Sequence, residues 1–260
     1  MFKEKYCIVT GAAGFLGEYH CKSVLETSNS LIMIDIDKKN LIRKKNVLEK
    51  KFPKKKIFTF RADISKETQI KNIAKKLKNK KILINSIINN AAIDAVPKKD
   101  LKNEFISSYQ WKKELDVSLL GSYLIIKFFI DFLKKNKNSS VINIGSDLSV
   151  IAPNQNIYKK SFKNYIKPVT YSVAKHGLLG ITKYYASLYA NKNIRFNMIS
   201  PGPIFKNQDK NLTNELKKLI PMNRLGNPKD LSEAIKFLLN EKSSFITGQN
   251  IIIDGGRTII

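Results

Sequence analysis

The sequence predicts an α/β fold in which a doubly wound parallel sheet of about seven strands carries helices on both faces. A short apolar run at residues 6–9 leads directly into a glycine-rich turn and a helical pattern, as at the start of a strand-turn-helix unit. Further apolar runs alternate with helical patterns to the end of the chain, which favours right-handed βαβ connections. Because the 260 residues show no repeat or linker, we expect one Rossmann-type domain over residues 1–260.

The turn at residues 10–17 contains three glycines, each with an expected role. Gly11 makes the tight turn, Gly14 lets the backbone approach a diphosphate, and Gly17 lets the helix lie against the strand. The free N–H groups and the dipole at the start of the helix face the same diphosphate. Three glycines in seven residues also occur in ordinary loops, but the strand before them and the helix after them favour a dinucleotide site.

An acidic residue about 20 positions further on, Asp35, completes this pattern at the end of the second strand. Its carboxylate can accept hydrogen bonds from ribose hydroxyls and would repel a 2′-phosphate, which favours NAD over NADP. Nearby cations at Lys38, Lys39 and Arg43 soften that preference. The alternative is that Asp35 is only a solvated loop acid.

The remaining elements follow in a regular order. We predict strands at 5–10, 31–34, 57–61, 82–88, 141–144, 194–199 and 250–253. We predict helices up to about residue 27, then at 38–51, 66–78, 109–133, 170–190 and 229–239. Residues 147–169 are expected to be irregular, and the polar stretch that follows residue 204 to be mobile up to about residue 218.

Small and polar residues stand where the third and fourth strands end. Asp63 either holds the adenine edge or caps the following helix, and capping by Asp63 or Ser65 is the commoner role. Asn90, Ala91 and Ala92 would let a dinucleotide lie flat on the tip of the fourth strand. Ligands of such sheets bind at the carboxyl edge, where all of these residues fall.

The net charge of +26 suggests a nucleic-acid partner, but its distribution argues against one. Only five of the 47 basic residues are Arg, and the lysines are spread over every predicted helix and loop. Lys, Asn and Ile share A/T-rich codons, so a biased genome explains this composition. We therefore expect no nucleic-acid partner, because such proteins cluster basic residues on one face.

The two cysteines, Cys7 and Cys21, form no disulfide framework and indicate a reducing compartment. The N-terminus enters a strand almost at once, which leaves no room for a signal peptide. The longest apolar segment, 117–133, carries Lys127 and Asp131 and is shorter than the roughly 20 residues of a membrane span. We expect a cytoplasmic protein with no membrane contact and no metal site.

Taken together, six motifs make the sequence resemble the short-chain dehydrogenase/reductases over essentially the whole chain. They are the turn at 10–17, Asn89-Asn90-Ala91-Ala92, Gly145-Ser146, Tyr171-x-x-x-Lys175, Pro201-Gly202, and the closing Gly248-Gln249-Asn250 to Asp254-Gly255-Gly256. Three Tyr-x-x-x-Lys pairs occur in the chain. Only the pair at Tyr171 lies between a strand that ends in serine and one that ends in Pro-Gly, which is where the family has its catalytic pair.

Helical spacing explains that pair, because residues i and i+4 share a helix face. A cation at Lys175 and an oxidised nicotinamide would lower the pKa of the Tyr171 phenol from its ordinary value near 10. The resemblance implies that Tyr171 exchanges the substrate proton and that Ser146 hydrogen-bonds the same oxygen. Lys175 also binds the nicotinamide ribose. The implied function is NAD(H)-dependent hydride transfer between nicotinamide and an alcohol or ketone, most plausibly a sugar or polyol derivative.

The catalytic candidates are therefore Ser146, Tyr171, Lys175 and Ser118. The candidate cofactor-binding residues are Gly11, Ala13, Gly14, Phe15, Leu16, Gly17, Asp35, Asp63, Ile64, Asn90, Ala91, Ala92, Tyr171, Lys175, Pro201, Gly202 and Ile204.

Several positions depart from the family pattern. The glycine spacing is that of the extended branch, although chain length and the C-terminal motif are those of the classical branch. Ala92 replaces a customary Gly, and the usual Thr after Pro-Gly is missing near Phe205. Ser118 stands where classical members carry an Asn that supports a water relay to the catalytic lysine, and a hydroxyl or water could substitute for that Asn.

The distance from Ser146 to Tyr171 is 25 residues, where classical members have about a dozen. The insertion contains Gln155, Tyr158, Lys159, Lys160, Lys163 and Lys167. One hypothesis is that it lines a pocket for a phosphorylated or nucleotide-linked sugar, and the alternative is a solvated lysine-rich loop. This insertion and the C-terminal sequence are similar to those of a bacterial subgroup that includes flagellin-modification reductases.

Two other functions remain open from the sequence. Only the glycine spacing supports a sugar-nucleotide epimerase or dehydratase, and the expected lack of the larger C-terminal substrate region of extended members disfavours it. A sensor or scaffold could keep the fold without catalysis, but the intact Ser146, Tyr171 and Lys175 argue against it. The family resemblance also implies a homo-oligomer, a dimer through helices 109–133 and 170–190 or a tetramer through the C-terminal strand.

Overall fold

The computed structural model describes residues 4–93, 105–161 and 165–260. Seven parallel strands form one sheet in the order β3-β2-β1-β4-β5-β6-β7. The strands are β1 (Lys5–Thr10), β2 (Ser30–Asp35), β3 (Ile57–Arg61), β4 (Leu83–Asn89), β5 (Ser139–Ile144), β6 (Ile194–Pro201) and β7 (Asn250–Ile253). The predicted doubly wound α/β fold is confirmed.

Nine α-helices connect the strands in the described part of the chain. They are α1 (Phe15–Leu25), α2 (Lys38–Lys51), α3 (Glu67–Asn79), α4 (Ser108–Leu115), α5 (Gly121–Leu133), α6 (Gln155–Ser161), α7 (Val169–Tyr189), α8 (Lys210–Lys218) and α9 (Ser232–Leu239). None of these described helices has both the length and the hydropathy of a membrane span.

The two faces of the sheet have separate apolar cores because side chains alternate along each strand. In β1, Tyr6 and Ile8 point to the core formed with α3, α5 and α7, whereas Cys7 and Val9 point to the core formed with α1, α2 and α9. Helices on both faces explain why the strands are apolar throughout rather than at every second residue.

The strand order reverses between β1 and β4, because β2 and β3 lie on one side of β1 and the later strands on the other. In open α/β sheets, ligands bind in the crevice at the carboxyl ends of the strands at such a reversal. The glycine turn follows β1 and Asn90 follows β4, so both lie at this crevice.

The long helix predicted at 109–133 is interrupted. A π-helical turn, Asp116–Leu120, joins α4 to α5, and Ser118 lies at its centre with 4% of its surface exposed. π-Helical turns inside α-helices frequently occur at functional sites. The apolar pattern gave no sign of this turn.

Two segments predicted to be irregular or mobile each contain a helix. Residues 147–169 include a 3₁₀ turn (Asp147–Ser149) and α6, and the polar stretch after residue 204 includes α8. α6 and α8 pack on each other through a small apolar cluster of Ile157, Leu212, Leu216 and Leu225. The cluster was not predicted because both helices are rich in lysine and asparagine and each contributes only one or two apolar residues to it.

Candidate active site

The glycine turn is shaped by steric contact as well as by backbone conformation. Gly11 has a φ of +62°, and a Cβ there would lie 2.8 Å from the Cα of Ala91. A Cβ at Gly17 would lie 2.0 Å from the carbonyl oxygen of Gly11, so α1 packs directly on the turn. Gly14 is exposed, and a Cβ there would meet only the Gly11 oxygen, at 3.1 Å. The turn therefore has one open face, at Gly14.

Asn90 fixes the glycine turn to the end of β4. Its Nδ2 donates to the carbonyl oxygens of Thr10 and Gly11, both at 3.1 Å. The Thr10 hydroxyl oxygen accepts from the backbone N–H groups of Asn90 (3.0 Å) and Ala91 (3.1 Å). The structure therefore gives the Asn90 side chain a scaffolding role, whereas the sequence indicated only small residues at this strand tip. Ala92 follows on the exposed surface.

His20, a residue that the sequence analysis did not select, lies on α1 near this turn. It is fully buried, and neither ring nitrogen reaches a hydrogen-bond partner among the described residues. Burial lowers the pKa of His20 to about 4, and the nearby amide of Asn90 opposes that effect only in part. The ring is therefore neutral in the folded protein at physiological pH.

The Asp35 carboxylate lies at the end of β2 beside the glycine turn. Its Oδ2 accepts from the backbone N–H of Ala13 at 2.8 Å, and its Oδ1 accepts from the N–H of Asp37 at 2.9 Å. Lys44 is buried on the other side of the turn, where its Nζ donates to the carbonyl oxygen of Gly14 at 2.6 Å. Asp35 is therefore part of the folded edge, which does not support the alternative of a solvated loop acid.

The predicted cap of α3 is wrong. The N-cap residue is Lys66, and no side chain caps the helix. Asp63 Oδ1 instead accepts from the backbone N–H and the hydroxyl of Ser65, at 3.0 and 2.7 Å. The Ile64 side chain is buried and contacts Gly121 of α5.

Phe15 and Leu16 begin α1 directly after Gly14, and both are half-buried. At the other end of the crevice, Gly202 N–H donates to the Ile253 carbonyl at 2.9 Å, which joins the loop after Pro201 to β7. Ile204 pairs with Gly226 in an isolated bridge. These residues lie near the carboxyl ends of their strands.

The three residues of the predicted catalytic group come from β5 and α7. Ser146 follows the end of β5, and its hydroxyl donates to Asp147 Oδ1 at 2.8 Å. Lys175 is buried, and its Nζ donates to the Ile144 carbonyl at 2.9 Å and lies 5.7 Å from the ring centroid of Tyr171. β5 and α7 thus bring the three residues to the sheet edge that also carries the glycine turn.

Ser118 lies where the π-helical turn packs on α7, next to Leu119, whose side chain contacts Gly177. The carbonyl oxygen of Ser118 accepts from the Ser122 hydroxyl at 2.7 Å. The Ser122 hydroxyl therefore already donates to this carbonyl.

Asp147 and Arg257 form a buried ion pair that the sequence analysis did not select. Each side chain is 4% exposed, and Arg257 Nη1 donates to Asp147 Oδ2. Asp254 accepts from the N–H groups of Gly256 and Thr258 and so shapes the tail that carries Arg257. The closing Asp-Gly-Gly motif thus places the Arg257 guanidinium against Asp147, the residue that follows Ser146.

The ammonium of Lys167 also contacts Tyr171, a residue of the predicted catalytic group. Its Nζ lies 4.0 Å from the ring centroid of Tyr171, nearer than the Nζ of Lys175. A search for Lys four residues before Tyr, as well as four after it, would have found this residue. Of the other insertion lysines, Lys163 and the side chains of Lys159 and Lys160 lie outside what the structure describes, so the pocket hypothesis is untested there.

A parallel sheet with a glycine turn at its reversal point and a polar catalytic edge is that of a dinucleotide-binding oxidoreductase. The sequence model of the family described as Enoyl-(Acyl carrier protein) reductase matches residues 11–258. Together with the relatives below, this match shows that the chain belongs to the short-chain dehydrogenase/reductase family, whose members use a nicotinamide cofactor.

Three curated relatives align with nearly the whole chain. The 3-oxoacyl-acyl-carrier-protein reductase FabG of Thermotoga maritima is 28% identical, with 98% of each chain covered. The NAD-dependent glycerol dehydrogenase of Listeria innocua is 29% identical, with 98% of this chain and 94% of the relative covered. Post-translational flagellin modification protein A of Campylobacter coli is 27% identical, with 98% and 99% covered.

Among solved structures, a short chain dehydrogenase from Leptospira borgpetersenii with bound NAD+ superimposes with a TM-score of 0.83. It is 30% identical, and the match covers 99% of this chain and 94% of that one. The family and the enzymatic class predicted from the sequence are therefore confirmed.

Proposed function

We propose that this protein is an NAD(H)-dependent oxidoreductase that interconverts an alcohol and a ketone, with a sugar or other polyol as its substrate class. The observation that carries the proposal is the placement of Ser146, Tyr171 and Lys175 at the same sheet edge as the glycine turn. In oxidation, Tyr171 takes the hydroxyl proton of the substrate while Ser146 holds the same oxygen. In reduction, Tyr171 returns that proton to the carbonyl oxygen.

The cofactor cradle of this chain fits a dinucleotide. The open face at Gly14 leaves room for a diphosphate that a side chain would fill, and the start of α1 offers its free N–H groups there. Lys175 would hold the nicotinamide ribose, and Asp35 the adenosine ribose. When bound, the nicotinamide accepts or supplies the hydride.

Asp35 supports NAD over NADP, because its carboxylate stands where a 2′-phosphate would meet a negative charge. Asp37 adds a second exposed carboxylate two residues on. Hydrogen bonds from Asn40 hold the pKa of Asp37 below its usual value, so Asp37 is ionised as well. The name of the Listeria relative and the NAD+ bound to the Leptospira structure point the same way.

The name of the glycerol dehydrogenase relative supports a polyol as the substrate class, and a second relative is named for the modification of flagellin. The second candidate is reduction of a 3-oxoacyl thioester. The description of the family model and the Thermotoga relative favour it.

One set of measurements tests the function. NADH and NADPH are titrated by fluorescence, and polyols, sugars, nucleotide sugars and a 3-oxoacyl thioester are then screened with the preferred cofactor. We expect tighter binding of NADH, turnover of a polyol or sugar, and loss of turnover in Tyr171→Phe with NADH binding retained.

We expect Asp35→Asn to reduce the ratio of the NADPH Kd to the NADH Kd by about tenfold. Turnover of the thioester alone would favour the second candidate.

We also propose that the protein is a cytoplasmic homo-oligomer, either a dimer or a tetramer. Large apolar side chains are exposed on the interrupted helix (Leu120 and Tyr123) and on α7 (Val173, Tyr184 and Leu188), the elements through which the family resemblance implies a dimer. Burial of these side chains in a second copy would remove an apolar surface from water. Sedimentation analysis of the full-length protein tests this, and a monomer at all concentrations would contradict it.

A further inference from the structure

Tyr171 lies between two lysines at equal spacing, Lys167 four residues before it and Lys175 four residues after it. The Lys167 Nζ lies 4.0 Å from the ring centroid and the Lys175 Nζ 5.7 Å. A cation within about 6 Å of an aromatic ring is attracted by the ring's electron density. When the phenol is ionised, the same cation also lies close to a full negative charge.

We propose that Lys167 is a second positioning cation of the active site, which holds the Tyr171 ring and stabilises its phenolate form together with Lys175. This role rests on the proposed function, in which Tyr171 exchanges the substrate proton. It also assigns a purpose to the insertion between Ser146 and Tyr171, which carries Lys167.

The insertion fixes the backbone from which Lys167 extends. The Gln155 side chain makes two hydrogen bonds to the backbone of Lys167. Its Oε1 accepts from the Lys167 N–H at 2.9 Å, and its Nε2 donates to the Lys167 carbonyl at 3.1 Å. Tyr165 is buried, and its ring packs edge-on against Tyr158 of α6 at 5.9 Å. Pro168 then caps the start of α7 with a φ of −60°. These contacts hold the chain just before α7.

Lys167 starts from ordered structure rather than from a loose loop. α6 is itself held by α8 through the cluster of Ile157, Leu212, Leu216 and Leu225. A side chain that extends from a fixed backbone loses less freedom when it settles over the ring, so more of its attraction to the ring is retained.

Several other charged groups on elements packed against α7 form hydrogen bonds or ion pairs away from the Tyr171 ring. Glu114 of α4 accepts from Thr170 and Gln110, Asp147 pairs with Arg257, Asp116 of the π-helical turn pairs with Lys112, and the His176 ring contacts the Ser172 carbonyl. Arg195 of β6 bonds to Ser243 and to the carbonyl oxygens of Leu238 and Asn240. Among the described residues, Lys167 and Lys175 are the cations within about 6 Å of the Tyr171 ring.

A direct titration of Tyr171 tests the proposal without depending on turnover. The ultraviolet absorbance of tyrosinate is followed against pH in the full-length protein with NAD+ added. The same titration of each variant's Tyr171→Phe counterpart is subtracted, because the chain has ten tyrosines. The variants are Lys167→Met, Lys167→Arg, Gln155→Ala and, as a control, Lys134→Met, which removes a similar cation 5.7 Å from the Tyr189 ring.

We expect Lys167→Met to move the Tyr171 titration upward by about one pH unit. Lys167→Arg should stay close to the wild type because it keeps the charge, and Gln155→Ala should shift the titration in the same direction by less. Lys134→Met should leave it unchanged.

A Lys167→Met titration that coincides with the wild type would overturn the proposal. A rise in the KM of Lys167→Met without a shift in its Tyr171 titration would also overturn the proposal, because Lys167 would then act on the substrate. A shift with no turnover of any substrate would instead leave the role of Lys167 standing and refute the proposed function.

Discussion

At the residue scale, the glycine turn contains two glycines whose steric surroundings differ sharply. Gly14 has a φ of −72°, which any residue adopts, and its missing Cβ opens toward the crevice. The missing Cβ of Gly17 would lie inside the turn, 2.0 Å from a backbone oxygen. We therefore propose that Gly14 makes room for the diphosphate, whereas Gly17 is needed for the packing of α1 on the turn.

We expect Gly14→Ala to leave the melting temperature nearly unchanged and to weaken NADH binding at least tenfold, because the added methyl group fills the diphosphate cradle. Gly17→Ala should instead lower the free energy of unfolding by about 3 kcal/mol, because the backbone must move. Thermal unfolding and NADH fluorescence titration measure the two effects. Unchanged NADH binding in Gly14→Ala would show that the diphosphate does not lie at this face.

His20 should make stability depend on pH. Its folded pKa of about 4 lies below the unfolded value near 6.5, so the unfolded chain binds the proton first as the pH falls. The neutral His20 ring leaves the free energy of unfolding undiminished above about pH 6.5, and this stability is lost as the pH falls toward about 4. Between pH 7.5 and pH 5 the free energy of unfolding falls by about 2 kcal/mol.

Urea unfolding at both pH values measures this loss. His20→Leu should lose about 2 kcal/mol less than the wild type on acidification, whereas His176→Gln, at the other histidine, should behave as the wild type does. Equal losses in the wild type and His20→Leu would exclude His20 as the source.

At the scale of elements, α6 and α8 stabilise each other outside the two main cores. Leu216 is 4% exposed and belongs to the four-residue cluster between them. Because this cluster is small and lies apart from the sheet, its loss should loosen the two helices without unfolding the sheet.

We expect Leu216→Ala to reduce the local stability of α6 and α8 by about 2 kcal/mol. Hydrogen exchange should become faster in residues 155–161 and 210–218 and stay unchanged in β1, β4 and β5. Leu219→Ala, at the half-buried edge of the same cluster, is the control and should have a smaller effect. Faster exchange across the whole sheet would contradict an independent unit.

At the scale of the whole molecule, the Arg257–Asp147 pair joins the C-terminal tail to the end of β5. Removal of one partner leaves a buried charge unpaired, which is much more costly than loss of a surface pair. The chain provides the comparison, because Arg224 and Asp230 form an ion pair of 2.7 Å in which the arginine is exposed.

We expect Arg257→Met to lower the free energy of unfolding by about 3–5 kcal/mol. It should also reduce turnover, because Asp147 is the hydrogen-bond partner of Ser146. Arg224→Met should cost at most about 1 kcal/mol. Chemical unfolding and the activity assay measure both effects, and equal losses of stability in the two variants would contradict the buried pair.

The sequence by itself determined the doubly wound sheet, its strand-helix order and the edge that carries the site. These features follow from local signals, namely apolar runs, helical periodicity and glycine spacing, and the bounds of β1, α2, β3 and β7 agree with the structure. Ser146 lies at this edge because parallel strands end on the same side, whereas Tyr171 and Lys175 were predicted to lie there from the resemblance to the family.

Only the tertiary structure decided which distant residues meet. Arg257 reaches Asp147 across 110 positions, Asn90 bonds to the glycine turn across about 80, and the helices α6 and α8 exist through apolar contacts with each other. The contact between Lys167 and Tyr171 spans only four residues, yet it depends on a backbone that Gln155 holds in place. Apart from the four-residue spacing of Lys167 and Tyr171, no local pattern in the sequence encodes these contacts, because they arise when the folded chain brings separate segments together.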